Sequence, residues 1–195
     1  QKYTVMSYTV DDTVWFNGPA HPNQGYAISH TPMLYDIAAI QWMYGEQETN
    51  VGDTVYDSFD PATPFAMAIW DSGGVDTIDL SAFTEGCDLS LVTGTSSTVV
   101  CQTGGTGWTS GQMLNNLSIA AGATIENIIA GSGDDTIVGN EADNVLTGGA
   151  GADIFEFTAG FGSDTITDFL VGTDKLKIKD SGGNVLTATN LTESI

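Results

Sequence analysis

The sequence predicts a mainly β protein that folds as a parallel β-solenoid, or β-roll, preceded by one helix. Three observations lead to this prediction. A nine-residue repeat runs from residue 130 to residue 157, only the segment 33–44 has an extended helical pattern, and acidic residues greatly outnumber basic ones. The repeat gives the solenoid, and the acidic excess indicates what its turns bind.

Three repeat units begin at residues 130, 139 and 148. They read A-G-S-G-D-D-T-I-V, G-N-E-A-D-N-V-L-T and G-G-A-G-A-D-I-F-E. In each unit, six mostly small or acidic residues precede three residues that centre on a large apolar one, namely Ile137, Leu146 or Phe155. This period is typical of a coil in which a six-residue turn alternates with a three-residue strand.

The turns of this repeat have the composition of a cation site. Glycine adopts backbone angles that are closed to other residues, so a turn rich in glycine can direct several carbonyl oxygens to one point. The sixth position adds a carboxylate, Asp135 or Asp153. Ligands that are all oxygen favour calcium over magnesium or zinc. We therefore expect several calcium ions, the alternative being acidic turns that hold no ion.

The charge balance limits the possible partners. Among 195 residues there are 25 acidic side chains, four lysines and no arginine, giving a net charge of -21. Such a chain is not expected to bind nucleic acid or an anionic membrane surface. No segment is apolar for the roughly 18 residues of a membrane span, so membrane insertion is not expected. Self-repulsion should couple calcium binding to folding.

The two cysteines, Cys87 and Cys101, flank a segment that reads as two short strands around a turn at residues 94–97. Facing strand ends could bring the two sulfur atoms within bonding distance. We therefore expect a disulfide if the protein is exported, and two separate buried thiols otherwise.

The regions on either side of the repeat differ in pattern. Residues 1–32 have little periodicity and predict irregular coil. Residues 33–44 contain no helix breaker and end at Gly45, which predicts one helix opened by Thr31 and Pro32. Its predicted buried face contains Leu34, Ile37, Ala38 and Gln41. Residues 158–180 alternate in polarity, and we expect them to cap the open end of the coil.

Several of these segments together resemble a known family. The repeat is similar to the nonapeptide G-G-x-G-x-D-x-U-x of RTX proteins, which form a calcium-loaded parallel β-roll, although Asn144 replaces the aspartate of the second unit. The segments T-P-M-L-Y-D-I-A-A-I-Q-W-M-Y-G, G-D-T-V-Y, W-D-S-G-G-V-D-T-I-D-L-S and S-I-A-A-G-A-T-I-E-N resemble serralysin-type secreted zinc metallopeptidases, the metzincins of peptidase family M10B. This resemblance implies a metzincin-like protease remnant at residues 1–45 and a calcium-binding RTX β-roll at residues 46–195.

The resemblance also implies three sets of calcium ligands, each shared between two turns. The first set is Asn50, Gly52, Thr54, Asp71, Gly73 and Asp76, where Asn50 takes a position that is often arginine in relatives. The second set is Gly74, Asp76, Thr124 and Glu126. The third set is Gly131, Gly133, Asp135, Gly148, Ala150 and Asp153. The roles of Asp164, Asp168 and Asp174 stay open between calcium ligands and solvated turn acids.

The same resemblance identifies Val5-Met6-Ser7-Tyr8 as a Met-turn, with Met6 beneath the zinc and Tyr8 as the phenol that stabilises the transition state. The zinc motif H-E-x-x-H-x-x-G-x-x-H is not in this sequence, whose only histidines are His21 and His30. We therefore expect zinc only through a segment that precedes this chain in the family. We also expect the isolated chain to be inactive.

Three functions remain open from the sequence. The first is the C-terminal portion of a secreted serralysin-like zinc metalloendopeptidase, which folds on extracellular calcium and stabilises or helps to export the protease by type I secretion. The second is one chain of a nicked active peptidase whose zinc helix lies on a partner polypeptide, with a peptide as substrate. The third is a non-catalytic RTX binding or surface module.

Overall fold

The computed structural model describes residues 31–63, 65–101 and 115–186, and in these ranges the protein is mainly β with one helix. The Met-turn residues Met6 and Tyr8 lie outside the described residues, so their predicted roles stay predictions. The elements in chain order are α1 (Leu34–Tyr44), β1 (Val55–Tyr56), β2 (Met67–Ile69), β3 (Thr77–Asp79), β4 (Asp88–Ser90), β5 (Ser96–Ser97), β6 (Leu117–Ile119), β7 (Asn127–Ile129), β8 (Thr136–Val138), β9 (Val145–Thr147), β10 (Ile154–Thr158), β11 (Thr165–Ile166) and β12 (Lys175–Lys179).

The helix predicted at residues 33–44 is present as α1. The buried carboxylate of Asp36 accepts a hydrogen bond from the Met33 amide at 3.0 Å, which caps the first turn. Gly45 ends the helix with φ of 80° and donates its amide to the Gln41 carbonyl. Of the predicted buried face, Ala38 is exposed instead. The rest of the helix surface exposes large apolar side chains: Tyr35, Ile40, Trp42, Met43 and Tyr44.

Two sheets of parallel strands form the main body of the protein. One sheet has the order β1-β3-β7-β9-β11 and the other has the order β12-β10-β8-β4. From β7 to β10 the chain alternates between these sheets every nine residues. Asn127 therefore pairs with Val145 in one sheet, and Thr136 pairs with Ile154 in the other. Two repeat units thus complete one turn of the coil, as the nine-residue period predicts.

The apolar residue at the centre of each unit lies in the core. Ile137, Leu146 and Phe155 are fully buried. Ile137 has Leu89 and Phe155 as neighbours across its sheet, and Leu146 has Ile128 as a neighbour across the other. Each coil turn therefore buries one apolar rung against the next. Burying a side chain of this size stabilises the fold by about 1.5–3 kcal/mol.

A smaller sheet, β2-β6-β5, joins β2, which precedes β3, to two strands of the insertion between β3 and β7. The Cys87–Cys101 disulfide expected from the sequence is not formed there, because both cysteines are free and buried. Strand register explains the difference. Asp88 pairs with Thr98 in antiparallel fashion, so Cys87 lies opposite Val99 and not Cys101. The Cys87 sulfur instead accepts the Val100 amide at 3.4 Å, and burial raises the pKa of its thiol to about 12.

Residues 158–180 continue the coil and do not cap it. β11 adds a strand to one sheet by pairing with β9, and β12 adds a strand to the other by pairing with β10. As a result the last rung is only partly covered among the described residues: Leu176 is 51% exposed, and residues 184–186 pair only with the end of β12, through the bridge between Lys179 and Val185. The alternation of polarity in this segment reflects an outer strand of the coil, with lysines at residues 175, 177 and 179.

Candidate metal centre

The turns that precede the strands stack in two columns, one beside each parallel sheet. The first column consists of turns 49–54, 71–76, 121–126, 139–144 and 159–164, which lead into β1, β3, β7, β9 and β11. The second column consists of turns 82–87, 130–135, 148–153 and 169–174, which lead into β4, β8, β10 and β12. Each predicted ligand set lies on neighbouring turns within one column, because strand pairing brings those turns together.

In the second column, turns 130–135 and 148–153 are in direct contact. The Asp135 amide donates to Asp153 Oδ1 at 2.9 Å, and the Ala150 amide donates to the Gly131 carbonyl at 3.2 Å. Asp135 and Asp153 are each 1% exposed. The structure therefore brings the two halves of the third predicted ligand set together around two buried carboxylates.

The glycines of this column are required for the close approach of the turns. Gly149 has φ of 88°, and a Cβ built on it would lie 1.8 Å from the Gly131 carbonyl oxygen. Gly151 has φ of 133°, and its Cβ would lie 2.3 Å from the Gly133 carbonyl oxygen. Real Cβ atoms do not come this close to backbone atoms. The two carbonyl groups predicted to bind calcium are thus covered by glycines that leave no space for a side chain.

The first predicted set lies in the first column. The Thr54 amide donates to Asp76 Oδ1 at 2.8 Å, so turns 49–54 and 71–76 are joined at the sixth position. Gly74 approaches the backbone of Gly52 so closely that a Cβ on it would lie 2.7 Å from the Gly52 carbonyl oxygen. Asp71 and Asp76 are fully buried.

The second predicted set is brought together in part. Asp76 and Glu126 are neighbours, because the Asp76 amide donates to Glu126 Oε2 at 2.7 Å. Thr124 is exposed and lies at the edge of a cavity of about 670 Å³ together with Asn140 and Glu141.

Two buried carboxylate oxygens of the first column are left without a partner. Among the described residues, Asp76 Oδ2 and Asp164 Oδ2 are inaccessible to solvent and have no hydrogen bond. A buried carboxylate oxygen in this state is costly unless a cation or a proton compensates for it. Both oxygens lie on turns of the column in which calcium is expected. The residues present therefore fit a bound cation that prefers oxygen ligands.

A cation in these turns depends mainly on backbone oxygens. Within the described ranges, no group of three or more His, Cys, Asp and Glu side chains is arranged to hold a metal ion. Zinc, which takes nitrogen and sulfur ligands as well as carboxylates, thus has no side-chain site in this part of the chain. Calcium accepts carbonyl oxygens readily, which agrees with turns that supply two carboxylates and several carbonyls.

Some members of these columns do not follow from the repeat at residues 130–157. Residues 121–129 form a further repeat unit, and the signal was Ile128, which lies nine residues before Ile137. Asp164 and Asp174, for which the sequence allows either calcium ligands or solvated turn acids, continue the two columns: Asp164 Oδ1 accepts the Asn144 amide, and Asp174 Oδ1 accepts the Asp153 amide. The nine-residue period does not predict these two contacts, because they span 20 and 21 residues, whereas two repeat units span 18.

The second repeat unit replaces glycine and aspartate with two asparagines. Asn140 donates its side-chain amide to the carbonyls of Ile125 and Leu91, and Asn144 donates to Asn140 Oδ1. These bonds tie turn 139–144 to the preceding turn through amide groups. The turn is therefore held by side chains at the positions where the consensus has glycine and a carboxylate.

Burial shifts the ionisation of the carboxylates in both columns. Desolvation raises the pKa of Asp135 to about 6, with further contributions from the charges of Asp153 and Asp134, while the hydrogen bond from the Cys87 amide opposes the shift. Burial is also the main cause of the raised pKa of Asp76, Asp153 and Asp164. Without a cation, these carboxylates therefore bind a proton more readily than an exposed aspartate does.

This shift predicts how the metal-free protein responds to pH. A folded-state pKa above the ordinary value means that the folded state binds the proton more tightly than the unfolded state does. In calcium-depleted buffer we therefore expect the free energy of unfolding to rise from pH 7 to pH 5 and to be lost as the pH rises through about 6. Circular dichroism of the calcium-free chain between pH 7 and pH 5 would measure this change as the fraction folded, which is expected to be small at pH 7, with Asp135→Asn as the variant that flattens the trend. A steady loss of stability on acidification from pH 7 to pH 5 would contradict the prediction.

The fold and the site together define a class: a mainly β protein of stacked parallel strands whose turns carry buried carboxylates. Comparison with known proteins gives the family. The model of the family described as Peptidase M10 serralysin C terminal matches residues 35–190. The chain belongs to this family, which is the C-terminal region of serralysin-type peptidases.

Individual relatives agree with this assignment. The chain is 38% identical over 159 residues to Serralysin G of Dickeya chrysanthemi, covering 73% of this chain and 31% of the relative. It is 36% identical over 156 residues to Metalloprotease AprA of Pseudomonas entomophila, covering 74% and 30%, and 36% identical over 158 residues to Serralysin of Proteus mirabilis, covering 75% and 29%. The aligned region thus spans less than a third of these relatives.

No helix within the described ranges has the length and apolar character needed to cross a bilayer.

Proposed function

We propose that this chain is the calcium-binding C-terminal portion of a secreted serralysin-like zinc metalloendopeptidase, and that residues 46–195 form an RTX β-roll which folds on extracellular calcium. In this role the roll stabilises the protease region and assists its export by type I secretion. Calcium would neutralise the buried carboxylates and replace their lost hydration with direct coordination.

One observation carries the proposal: Asp76, Asp135 and Asp153 at the sixth turn position are buried. In addition, the buried oxygens Asp76 Oδ2 and Asp164 Oδ2 have no hydrogen-bond partner among the described residues. A fold that only needed polar turns would leave these groups in water. Backbone amides alone do not compensate for so many buried acids in a chain whose net charge is -21. A set of divalent cations does compensate for them, and the glycine-lined carbonyls supply the remaining ligands.

Adjacent acids in one turn give a matched test. Asp135 is buried and Asp134 is exposed, and each accepts a backbone amide through Oδ1, from Cys87 and Ala152 respectively. Asparagine keeps this acceptor and removes the charge. We expect Asp135→Asn to weaken calcium binding at one site about tenfold or more and Asp134→Asn to change it less than threefold, because only the buried charge can reach a cation directly.

Isothermal titration calorimetry with calcium on the full chain would measure the affinities and the number of ions bound. Equal effects of the two substitutions would show that the sixth position does not face the ion. A wild-type chain that binds no calcium at millimolar concentration would overturn the proposal as a whole.

The exposed side of α1 favours a second candidate, in which this chain is one part of a nicked, active peptidase. Trp42 is 88% exposed, and Tyr44 and Met43 beside it are 74% and 57% exposed. Surface aromatic residues clustered on one helix are typical of a contact with another protein region. A polypeptide that carries the zinc helix is the partner we propose for this surface, and a peptide is then the substrate of the assembly.

Elemental analysis of purified material, normalised to this chain, separates the candidates. Calcium with stoichiometric zinc would mean that a zinc-binding polypeptide accompanies the chain. Calcium without zinc would support a roll whose role is structural and secretory. The third candidate, a non-catalytic RTX module, is the least favoured, because a module of repeats alone has no use for α1.

A further inference from the structure

The phenol of Tyr56 joins the two turns that carry the first predicted ligand set. Its hydroxyl accepts a hydrogen bond from the side-chain amide of Asn50 at 3.1 Å and donates one to Asp71 Oδ2 at 2.6 Å. Asn50 belongs to turn 49–54 and Asp71 to turn 71–76, and Tyr56 lies in the strand that follows the first of these turns. One side chain that is not expected to bind calcium thus spans both halves of the site.

This contact fixes the orientation of Asp71. The carboxylate is fully buried, and its second oxygen, Oδ1, accepts the Gly73 amide at 3.0 Å. With one hydrogen bond on each oxygen, the carboxylate plane cannot rotate freely, while each oxygen keeps a lone pair for a cation. Hydroxyl to carboxylate bonds of this length are charge-assisted and are among the stronger hydrogen bonds in proteins.

The hydrogen bond between Asn50 and Tyr56 restrains the backbone of turn 49–54. Asn50 has φ of 50°, in the left-handed region that residues other than glycine seldom adopt, although asparagine tolerates it better than most. Its side chain is held by Tyr56, so the peptide groups on either side of Asn50 are held as well. The carbonyl of Asn50 is the atom that the resemblance assigns to the ion.

We propose that Tyr56 is a positioning residue for calcium at this site: in the folded site its hydroxyl holds Asp71 and Asn50 in the relative positions at which both can bind the ion. The inference rests on the proposed function, because it assumes that turns 49–54 and 71–76 hold calcium. Partners that orient a metal ligand from outside the coordination sphere commonly change metal affinity by tenfold to a hundredfold. The role belongs to this pair of turns, since both hydrogen bonds of the Tyr56 hydroxyl are made to residues of these turns.

The test is the substitution Tyr56→Phe, which removes only the hydroxyl. We expect about tenfold weaker calcium affinity at one site and faster calcium release from that site, while the remaining sites keep their wild-type values. Tyr44→Phe is the matched control, because Tyr44 is 74% exposed on α1. Calcium titration against a fluorescent chelator and stopped-flow release into that chelator would give both quantities on the full chain.

A double-mutant cycle distinguishes positioning from general packing. If Tyr56 acts through Asp71, then Tyr56→Phe should have little further effect on calcium affinity in an Asp71→Ala background, which lacks the acceptor. Asn50→Ala, which keeps the bond between Tyr56 and Asp71, should weaken the same site by a smaller factor.

The outcomes separate the inference from the function on which it rests. If Tyr56→Phe binds calcium like Tyr44→Phe, or if its effect is additive with that of Asp71→Ala, the positioning role is wrong while calcium binding stands. If the wild-type chain binds no calcium, both the role and the proposed function are wrong.

Discussion

Removal of calcium with excess EGTA at pH 7.5 is expected to unfold residues 46–195, with loss of the β signal in far-ultraviolet circular dichroism. Asp71 and Asp76 are fully buried, and Asp135 and Asp153 are each 1% exposed. Without cations, each such carboxylate carries a desolvation cost of several kcal/mol, and the net charge of -21 adds self-repulsion. The net stability of a domain is only about 5–15 kcal/mol, so the metal-free roll should not remain folded at this pH.

Two controls identify calcium as the cause. Adding calcium back in excess of EGTA should restore the spectrum. Adding magnesium instead should not, because magnesium requires a tighter octahedral shell and gives up its waters reluctantly. Sodium chloride at 1 M screens exposed charges and should rescue the fold only in part, since the buried carboxylates are little screened. An unchanged spectrum in EGTA would contradict the expectation.

Replacement of Gly149 by alanine is expected to be among the most damaging single substitutions in the coil. The added Cβ would lie 1.8 Å from the Gly131 carbonyl oxygen, which is backbone and cannot move without separating turns 130–135 and 148–153. Overpacking of this kind typically costs about 1–3 kcal/mol, in addition to roughly 1 kcal/mol for a non-glycine residue at positive φ. The third ligand set should lose calcium affinity as well, because Gly131 belongs to it.

Gly160→Ala is the matched control for this substitution. Gly160 has φ of 102°, but a Cβ on it would have no heavy atom within 4 Å. It therefore has a similar backbone strain without the collision. Urea unfolding in saturating calcium should show a clearly larger loss of stability for Gly149→Ala than for Gly160→Ala. Equal losses would mean that backbone strain, and not the contact between the turns, determines the effect.

Local patterns in the sequence were sufficient to predict much of this molecule. The nine-residue period gave the strands around Ile137, Leu146 and Phe155, and the helix with its end at Gly45 needed only a run without breakers followed by glycine. The sixth-position acids Asp135 and Asp153 followed from the same period. All of these features depend on residues that are close in the chain.

Features that depend on distant pairing could not be predicted in this way. The prediction of a Cys87–Cys101 disulfide was wrong because it requires Cys87 to lie opposite Cys101. The antiparallel pairing of Asp88 with Thr98 places Cys87 opposite the residue two positions earlier, Val99. The contact between Tyr56 and Asp71 joins residues 15 positions apart on different turns, and no repeat marks it. The stacked turns also continue through Asp174. The nine-residue period does not predict this continuation, because the later turns are separated by 20 or 21 residues instead of 18.

The spacing along the chain between stacked turns has a consequence for the order of folding. Asp135 and Asp153 meet across 18 residues, whereas Asp76 and Glu126 meet across 50. Closing the longer loop costs about 0.9 kcal/mol more in chain entropy, and the intervening insertion must first reach its own arrangement. Segment 127–158 is thus expected to form the folding nucleus, because its turns meet at the lowest cost in chain entropy. As further strands add toward the N-terminus, the largest entropic cost is expected where β3 pairs with β7.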